Sequence, residues 1–212
     1  MIYTHIIWDF NGTLFDDVAA GIEAVNDMLA RRGYKTLSGK EEYREVFRFP
    51  IIDYYRALGF DFEREPYEVL APEWVELYNR ASESSTLSAG ALEALDIFRE
   101  WGIPQVLLSA TERQMLVGQI RGLGIEEYFC EVLGLGNIHA YSKKDLAVLW
   151  KQRNPQSVPI IIGDTEHDAE VARAIGCDCV LVRGGHQSEK TLLRCGFTVC
   201  DDLRAAVRYI EK

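Results

Sequence analysis

The chain has 212 residues, of which 48% are hydrophobic and 26% charged, a composition typical of a folded globular protein. Its formal net charge of −10 argues against a nucleic-acid-binding surface and against electrostatic attachment to anionic lipid. The five cysteines include no C-x-x-C pair, and the N-terminal residues show neither a secretion signal nor a membrane-spanning run. We therefore expect a cytoplasmic protein that binds neither nucleic acid nor membrane.

The first part of the chain changes from one predicted strand to a long helical segment. Ile2–Trp8 is apolar and predicts a strand, which ends at the polar turn that begins with Asp9. Apolar residues at helical spacing then predict helices over most of residues 17–84. This segment carries many aromatic residues, and we expect their side chains to form its core rather than a surface for a ligand.

After a polar stretch at Ser84–Ser88, short apolar strands alternate with helices. The predicted strands are Pro104–Leu108, Cys130–Leu133, Val158–Ile162, Cys179–Val182 and Thr198–Cys200. This alternation predicts a mainly parallel sheet with helices on both faces. The sequence thus predicts an α/β protein, with a Rossmann-like core at 1–16 and 85–212 and an all-helical cap at 17–84.

Polar residues follow several of the predicted strands. Asp9 follows the first strand, Ser109 the second, and Asp164 and Asp168 follow the strand that ends at Ile162. Ligands of parallel sheets bind at the carboxyl ends of the strands, so we expect these side chains to converge. A cluster of carboxylates suits Mg²⁺, and a carboxylate can also attack phosphorus. The pattern indicates metal-assisted phosphoryl transfer.

Taken together, these residues form motifs in a recognisable order. The motifs are Asp9-Phe10-Asn11-Gly12-Thr13-Leu14, Ser109, Lys143 and Gly163-Asp164-Thr165-x-x-Asp168. The sequence resembles the haloacid dehalogenase superfamily of hydrolases, and most of all its phosphoglycolate phosphatase-like branch with a helical cap. The resemblance implies Mg²⁺ as cofactor and a small phosphorylated metabolite as substrate.

The resemblance also implies a role for each acidic motif residue. Asp9 would be the nucleophile and a Mg²⁺ ligand, and Asp164 a second ligand. The backbone carbonyl of Asn11 would be a further ligand, whatever its side chain. Asp168 would bind the metal through water or orient Lys143.

The remaining motif residues would contact the substrate's phosphoryl group. Lys143 would neutralise charge on the nucleophile and on the phosphoryl group, while Ser109, Ala110 and Gly12 would line its binding site. We prefer Lys143 to its neighbour because Lys143-Lys144-Asp145 matches the Lys-Pro-Asp pattern of the family.

Asn11 departs from the family, which usually has a second aspartate here as general acid and base. An amide cannot exchange a proton at neutral pH. One interpretation is a substrate whose leaving group needs little help, such as an acyl or enol phosphate. Another is a different proton donor, from the cap or at His167, although we otherwise expect His167 and His186 to be ordinary loop residues. A third is a weakly active or non-catalytic protein that binds a phosphorylated ligand.

Two other branches of the superfamily also lack the second aspartate. True dehalogenases do not use Mg²⁺, and the presence of Asp164 and Asp168 argues against that branch. The phosphonoacetaldehyde hydrolase branch needs a cap lysine that forms a Schiff base. Lys35 and Lys40 are the lysines of the predicted cap, and neither has the apolar sequence setting that would lower its pKa.

Overall fold

The computed structural model describes residues 2–136 and 142–211. Within these ranges the helices and strands are, in chain order, β1 (His5–Trp8), β2 (Phe15–Asp16), α1 (Val18–Arg31), α2 (Lys40–Val46), α3 (Ile51–Ala57), α4 (Tyr67–Ser82), β3 (Thr86–Leu87), α5 (Ala91–Glu100), β4 (Gln105–Glu112), α6 (Arg113–Gly122), β5 (Phe129–Leu135), α7 (Lys143–Arg153), β6 (Pro159–Gly163), α8 (Glu166–Ile175), β7 (Asp178–Val182), α9 (Glu189–Arg194), β8 (Thr198–Cys200) and α10 (Leu203–Glu211). Among these residues no helix combines the length and the apolar character that crossing a membrane requires.

Six strands form one parallel sheet in the order β5-β4-β1-β6-β7-β8. β1 lies inside the sheet and is buried on both faces: Ile6 and Trp8 belong to one hydrophobic cluster, and Ile7 belongs to the cluster on the opposite face. Parallel strands that are covered on both faces have such continuous apolar sequences. The predicted α/β fold with a mainly parallel sheet is confirmed.

The strand that carries Ser109 is longer than predicted. β4 continues past Leu108 to Glu112, with an irregular register between those two residues and β5. The extension is not recognisable from the sequence because Ser109-Ala110-Thr111 lacks the apolar residues of a core strand. These residues border a cavity. At the other end, the predicted first strand is too long, since β1 begins at His5.

Four helices, α1–α4, separate β2 from β3, and we call residues 18–82 the helical insert. Their buried side chains form a third hydrophobic cluster, distinct from the two clusters of the sheet. β2 and β3 pair antiparallel, with Phe15 opposite Leu87, so the two connections to the insert lie side by side. The division into a core and a cap at 17–84 stays a prediction, and this packing supports it.

Arg44 in α2 links the helical insert to the loop after β7. Its Nε donates a hydrogen bond to the carbonyl of Gly185 at 2.9 Å, and its Nη2 donates to the carbonyl of Gly184 at 2.5 Å. A nearby contact joins the Tyr43 hydroxyl to His186 Nδ1 at 2.7 Å. These bonds hold the insert over the carboxyl ends of the strands.

We expect Arg44→Ala to open the insert, because it removes two bonds from a charged donor worth about 1.5–3 kcal/mol each. Hydrogen exchange should become faster at residues 15–17 and 84–88, where the two connections run, as in hinge closure. Arg48→Ala is the control, because Arg48 is exposed and its Nε bonds the carbonyl of Val46 within the insert. Equal exchange in both variants would contradict a role of Arg44 in closure.

Candidate active site

Three carboxylates meet at the carboxyl edge of the sheet. Asp9 follows β1, Asp164 follows β6, and Asp168 lies in the first turn of α8. One carboxylate oxygen from each lies within 4.8 Å of the others, and all three residues are buried. The structure thus brings together the acidic side chains that we expected to converge because they follow the ends of strands.

Lys143, the first residue of α7, lies between two of these carboxylates. Its Nζ donates hydrogen bonds to Oδ1 of Asp9 and to Oδ1 of Asp168, and the side chain is buried. Burial lowers the pKa of this ammonium, but the charges of Asp168 and Asp9 outweigh burial and raise it. Lys144 is exposed. The structure therefore places the lysine that we preferred beside the predicted nucleophile.

Asp168 is surrounded by hydrogen-bond donors. Its Oδ2 accepts from the backbone N–H of Asp164 at 3.2 Å, and from the N–H and hydroxyl of Thr165 at 3.0 and 2.7 Å. Its Oδ1 accepts from Lys143. The same residue caps α8 in a capping box with Thr165. Because Oδ2 already accepts three hydrogen bonds and Oδ1 is paired with the Lys143 ammonium, Asp168 is suited to orienting Lys143 rather than to binding a metal directly.

We expect Lys143→Met to lower the free energy of unfolding by about 3–5 kcal/mol in metal-free protein, because it leaves buried carboxylates without their cation. It should also remove the phosphoryl-transfer activity that the sequence motifs predict. Lys144→Met, which changes the neighbouring exposed lysine, is the matched control and should change neither. Urea unfolding with EDTA present measures the first effect. A loss of stability in both variants alike would mean that helix α7, rather than the ion pairs, is affected.

Asp164 is held by two loops that approach it closely. Its Oδ1 accepts from the Thr13 hydroxyl at 2.8 Å, and its Oδ2 accepts from the backbone N–H of His186 at 2.7 Å. Gly12 has a φ of 74°, and a Cβ there would lie 2.5 Å from Asp164 Oδ2. The Gly12 N–H donates to Asp17 Oδ1 at 2.8 Å. Gly12 thus permits a close approach, and its predicted contact with phosphate stays a prediction.

The donor set at this edge fits a hard divalent cation. Burial and the neighbouring charge of Asp168 hold the pKa of Asp9 well above its usual range, in spite of Lys143. Burial likewise raises the pKa of Asp164. A cation bound between Asp9 and Asp164 would offset this unfavourable burial of charge, and carboxylate oxygens are the ligands that Mg²⁺ prefers.

Asn11 belongs to a triangle of hydrogen bonds with Asp17 and Tyr78, which we call the polar triangle. Asn11 Nδ2 donates to Asp17 Oδ2 at 2.9 Å and to the Tyr78 hydroxyl at 2.8 Å, and that hydroxyl donates to Asp17 Oδ2 at 2.5 Å. Asn11 Oδ1 accepts from the hydroxyls of Thr111 at 2.9 Å and Ser109 at 3.3 Å. These bonds fix which atom of the amide faces which neighbour.

Asp17 and His186 form a buried ion pair that the sequence did not predict. His186 Nε2 lies 3.2 Å from Asp17 Oδ1, and both residues are buried. Burial raises the pKa of Asp17, but His186 and the hydrogen-bond donors outweigh it and lower it. Burial lowers the pKa of His186, yet the charge of Asp17 raises it to about 9. The expectation of an ordinary loop histidine at 186 is therefore wrong.

Ser109 and Ala110 border the acidic cluster from β4. Ser109 is buried, and its hydroxyl accepts a bond from the backbone N–H of Thr111 at 3.0 Å. Ala110 is exposed. Both residues line a cavity together with Asp9 and Lys143, and their contact with a phosphoryl group stays a prediction.

That cavity has a volume of about 660 Å³ and lies between the acidic cluster and the helical insert. Aromatic and apolar side chains of the insert form its walls. They are Tyr43, Phe47, Phe49, Ile51, Tyr54, Tyr55, Trp74, Val75 and Tyr78. The expectation that these aromatic residues form a core is confirmed, because Tyr43, Tyr54, Tyr55 and Tyr78 are buried in the hydrophobic cluster of the insert. The same residues also line the cavity. His167 lines it too, with its ring centroid 4.9 Å from that of Phe49.

Comparison with known proteins identifies the class of protein that this fold and site define. Residues 6–182 match the family of haloacid dehalogenase-like hydrolases, and the chain belongs to that family. It is 28% identical to a phosphoglycolate phosphatase of Rhodobacter capsulatus over 86% of this chain and 85% of that protein. A phosphoglycolate phosphatase of Pseudomonas fluorescens strain Pf-5 is also 28% identical, over 95% of this chain and 78% of its own length.

A solved haloacid dehalogenase-like hydrolase from Streptococcus pneumoniae shares the fold. It superposes with a TM-score of 0.80 at 19% identity, and the match covers 98% of each chain. These comparisons confirm the predicted superfamily and its phosphoglycolate phosphatase-like branch. They also confirm the predicted class of enzyme, a phosphatase of this superfamily.

Proposed function

We propose that the protein is a Mg²⁺-dependent phosphatase that hydrolyses the phosphate ester of a small metabolite through an aspartyl-phosphate on Asp9. The observation that carries this proposal is the burial of Asp9, Lys143, Asp164 and Asp168 around one point that borders a cavity. Burying four charged groups is unfavourable for folding, and such clusters mark functional sites. Their chemistry matches that of phosphoryl transfer.

In the first step, a carboxylate oxygen of Asp9 attacks phosphorus, and the bond from phosphorus to the leaving oxygen breaks. Lys143 holds Asp9 in place and offsets negative charge on the phosphoryl oxygens, and Asp168 orients Lys143. The Ser109 hydroxyl, which lines the same cavity, donates to a phosphoryl oxygen when the substrate is bound. Mg²⁺ bound by Asp9, Asp164 and the carbonyl of Asn11 would reduce the repulsion between the anionic nucleophile and the anionic ester. A water molecule then attacks phosphorus, which releases phosphate and restores the Asp9 carboxylate.

The leaving oxygen must gain a proton unless it departs readily as an anion. Asn11 cannot supply that proton, because its amide nitrogen is neutral and already donates to Asp17 and Tyr78. His167 lines the cavity, so a donor other than residue 11 stays open, as does a substrate with a good leaving group. The same engaged amide favours the second candidate function, a protein that binds a phosphorylated ligand and turns it over slowly or not at all.

A Schiff-base mechanism is not supported by the positions of the two lysines of the insert. Lys35 is exposed and lies 3.0 Å from Glu42 in an ion pair, and Lys40 is also exposed. Neither lines the cavity that Asp9 borders. A neutral lysine nucleophile requires an apolar or cationic setting, which neither has.

The test is a phosphatase assay with an alkyl, an aryl and an acyl phosphate, with Mg²⁺ and after treatment with EDTA. We expect turnover with Mg²⁺, loss of turnover with EDTA, and recovery when Mg²⁺ is added back. Activity that resists EDTA would contradict the metal-dependent mechanism. Binding of phosphonates without hydrolysis of any ester would instead support the binding protein.

A further inference from the structure

The cavity beyond Asp9 is too large and too apolar for a two-carbon leaving group. Its volume of about 660 Å³ lies in the range that encloses drug-sized ligands. One wall is a stacked pair, Trp74 on Tyr78, with ring centroids 4.7 Å apart and planes 12° apart. On another side, the ring of Phe47 lies 5.2 Å from that of Tyr54 and 5.1 Å from that of His186. Flat aromatic surfaces of this kind favour an aromatic ring as occupant.

Within the described part of the chain, the cavity lining offers no unpaired lysine or arginine to a carboxylate. Of the described residues that line it, only Lys143 is a lysine or arginine. Its ammonium is already paired with the carboxylates of Asp9 and Asp168. His186 is paired with Asp17, and His167 Nδ1 lies 3.4 Å from Glu170 Oε2. Glu112 also lines the cavity, so a substrate carboxylate would meet a negative charge there, while the charges of Lys143 and His186 are already paired.

Two residues that line the cavity each carry a buried hydrogen-bond donor that has no partner among the described residues. These donors are the hydroxyl of Tyr54 in α3 and the indole Nε1–H of Trp74 in α4. Tyr54 is only 2% exposed. An unsatisfied buried donor is unfavourable by about 1–3 kcal/mol, so most are satisfied in the state that functions. Because both residues line the cavity, a small rotation of either side chain would bring its donor to an acceptor on a ligand there.

From size, charge and these two donors, we infer that the substrate is the phosphate ester of an uncharged alcohol that carries an aromatic ring and a hydrogen-bond acceptor. The inference rests on the proposed phosphatase function and names the substrate class of that site. The phosphate lies at Asp9 and Lys143, the ring lies against the aromatic walls, and the acceptor receives a bond from Tyr54 or Trp74. Small carboxylated esters such as 2-phosphoglycolate are disfavoured by the same cavity.

Binding of non-hydrolysable probes tests the inference without any need for turnover. Calorimetry of the wild-type protein with Mg²⁺ compares benzylphosphonate, methylphosphonate and phosphonoacetate. We expect benzylphosphonate to bind about tenfold or more tightly than methylphosphonate, because its ring is removed from water. Phosphonoacetate should bind no more tightly than methylphosphonate. Tighter binding of phosphonoacetate than of benzylphosphonate, or no binding of any of the three, would overturn the inference.

Turnover separates this inference from the proposed function. Benzyl and ethyl phosphate both release poor alkoxide leaving groups, so their kcat/KM ratio measures recognition of the ring, and we expect benzyl phosphate to be preferred. Hydrolysis with a preference for 2-phosphoglycolate would overturn the inference and leave the phosphatase in place. If the phosphonates bind in the expected order but no ester is hydrolysed, the proposed phosphatase function is wrong. The inferred class of compound would then be the class of ligand that the protein binds.

The two donors are tested with the three acetyl isomers of benzylphosphonate, which place an acceptor at different points of the ring. At least one isomer should bind more tightly than benzylphosphonate and lose about fivefold in Tyr54→Phe or Trp74→Phe. Tyr54→Phe should also raise the melting temperature, because it removes an unsatisfied hydroxyl. Tyr34→Phe, a partly buried tyrosine that does not line the cavity, is the control. If no acetyl isomer binds more tightly than benzylphosphonate, or if the tighter binding persists in both variants, these donors do not bind a ligand.

Discussion

Asp9→Asn is expected to abolish phosphatase activity while the fold stays at least as stable. An amide cannot form the acyl phosphate, and the loss of a catalytic nucleophile lowers kcat by about 10³-fold or more. Asp9 is buried beside Asp164 and Asp168, where its charge is disfavoured by burial and repulsion. Lys143 keeps its second partner, Asp168, in the variant. We therefore expect an unchanged or higher free energy of unfolding in metal-free protein.

Activity and urea unfolding of the same preparations measure the two effects. Asp16→Asn is the matched control, since it makes the same chemical change at an exposed carboxylate in β2, close in sequence but outside the cavity lining. It should leave both activity and stability near those of the wild type. A folded Asp9→Asn protein that retains wild-type turnover would remove Asp9 from the role of nucleophile. A large loss of stability would mean that Asp9 is primarily a structural partner of Lys143.

The parts of the site that the sequence predicted are those that follow from local rules. A buried parallel strand has a continuous apolar sequence, and polar residues directly after it must lie at the edge where ligands bind. This reasoning located Asp9 and Asp164 without knowledge of the fold in three dimensions. Lys143 followed from its place in the motif order, and the structure places its ammonium between Asp9 and Asp168.

The parts that the sequence did not predict arise from docking of the helical insert on the sheet. Asp17 and His186 are 169 residues apart, and no local pattern links them. Tyr43 reaches His186 only because α2 packs over the loop after β7. The sequence did contain one signal, the glycine that precedes His186. In the structure, a Cβ at Gly185 would lie 2.1 Å from Asp164 Oδ2. A glycine required by such a close approach marks a loop that is packed against the site.

The short helix α9, Glu189–Arg194, was also missed by the sequence analysis. Its six residues include one that is buried, Leu192, so there is too little periodicity to detect. By contrast, α8 and α10 have several buried residues at helical spacing. The sequence pattern predicts helices over Glu166–Ile175 and Leu203–Ile210, which agree with the structure within one residue. Detection from sequence therefore depended on how many turns of a helix contact the core.

The second large effect concerns Asn11 and the polar triangle. Asn11→Asp alone would place two carboxylates in contact, because Asn11 Nδ2 lies 2.9 Å from Asp17 Oδ2 in a buried site. We expect this single substitution to lower the free energy of unfolding by about 2–4 kcal/mol at pH 8. The loss should be smaller at pH 5, where the new carboxyl group is more often protonated. The general acid that the family usually has at this position is thus incompatible with Asp17 as it stands.

Exchanging the two side chains should restore the triangle. In Asn11→Asp combined with Asp17→Asn, the amide at position 17 donates to the carboxylate at position 11 and to the Tyr78 hydroxyl. That hydroxyl donates in turn to position 11, so the number of bonds stays the same and their direction reverses. Oδ1 at position 17 can still accept from the Gly12 N–H and from His186 Nε2, as Asp17 Oδ1 does now at 2.8 and 3.2 Å, while the carboxylate that balances the His186 charge moves to position 11. We expect the stability of the double variant to be closer to that of the wild type than to that of Asn11→Asp.

The exchange also places a group that can donate a proton beside Asp9, and its effect should depend on the leaving group. We expect kcat on ethyl phosphate to rise by about tenfold or more, within the ~10²–10⁴-fold range of general acid catalysis, while kcat on 4-nitrophenyl phosphate changes little. Asp17→Asn alone is the control, since it removes the charge at 17 without adding an acid at 11. Because Asn11-Gly12 is prone to deamidation, peptide mass spectrometry must first establish the residue at position 11. If verified wild-type protein already hydrolyses ethyl phosphate as fast as the double variant, another residue supplies the proton, and the amide at position 11 sets no limit on the reaction.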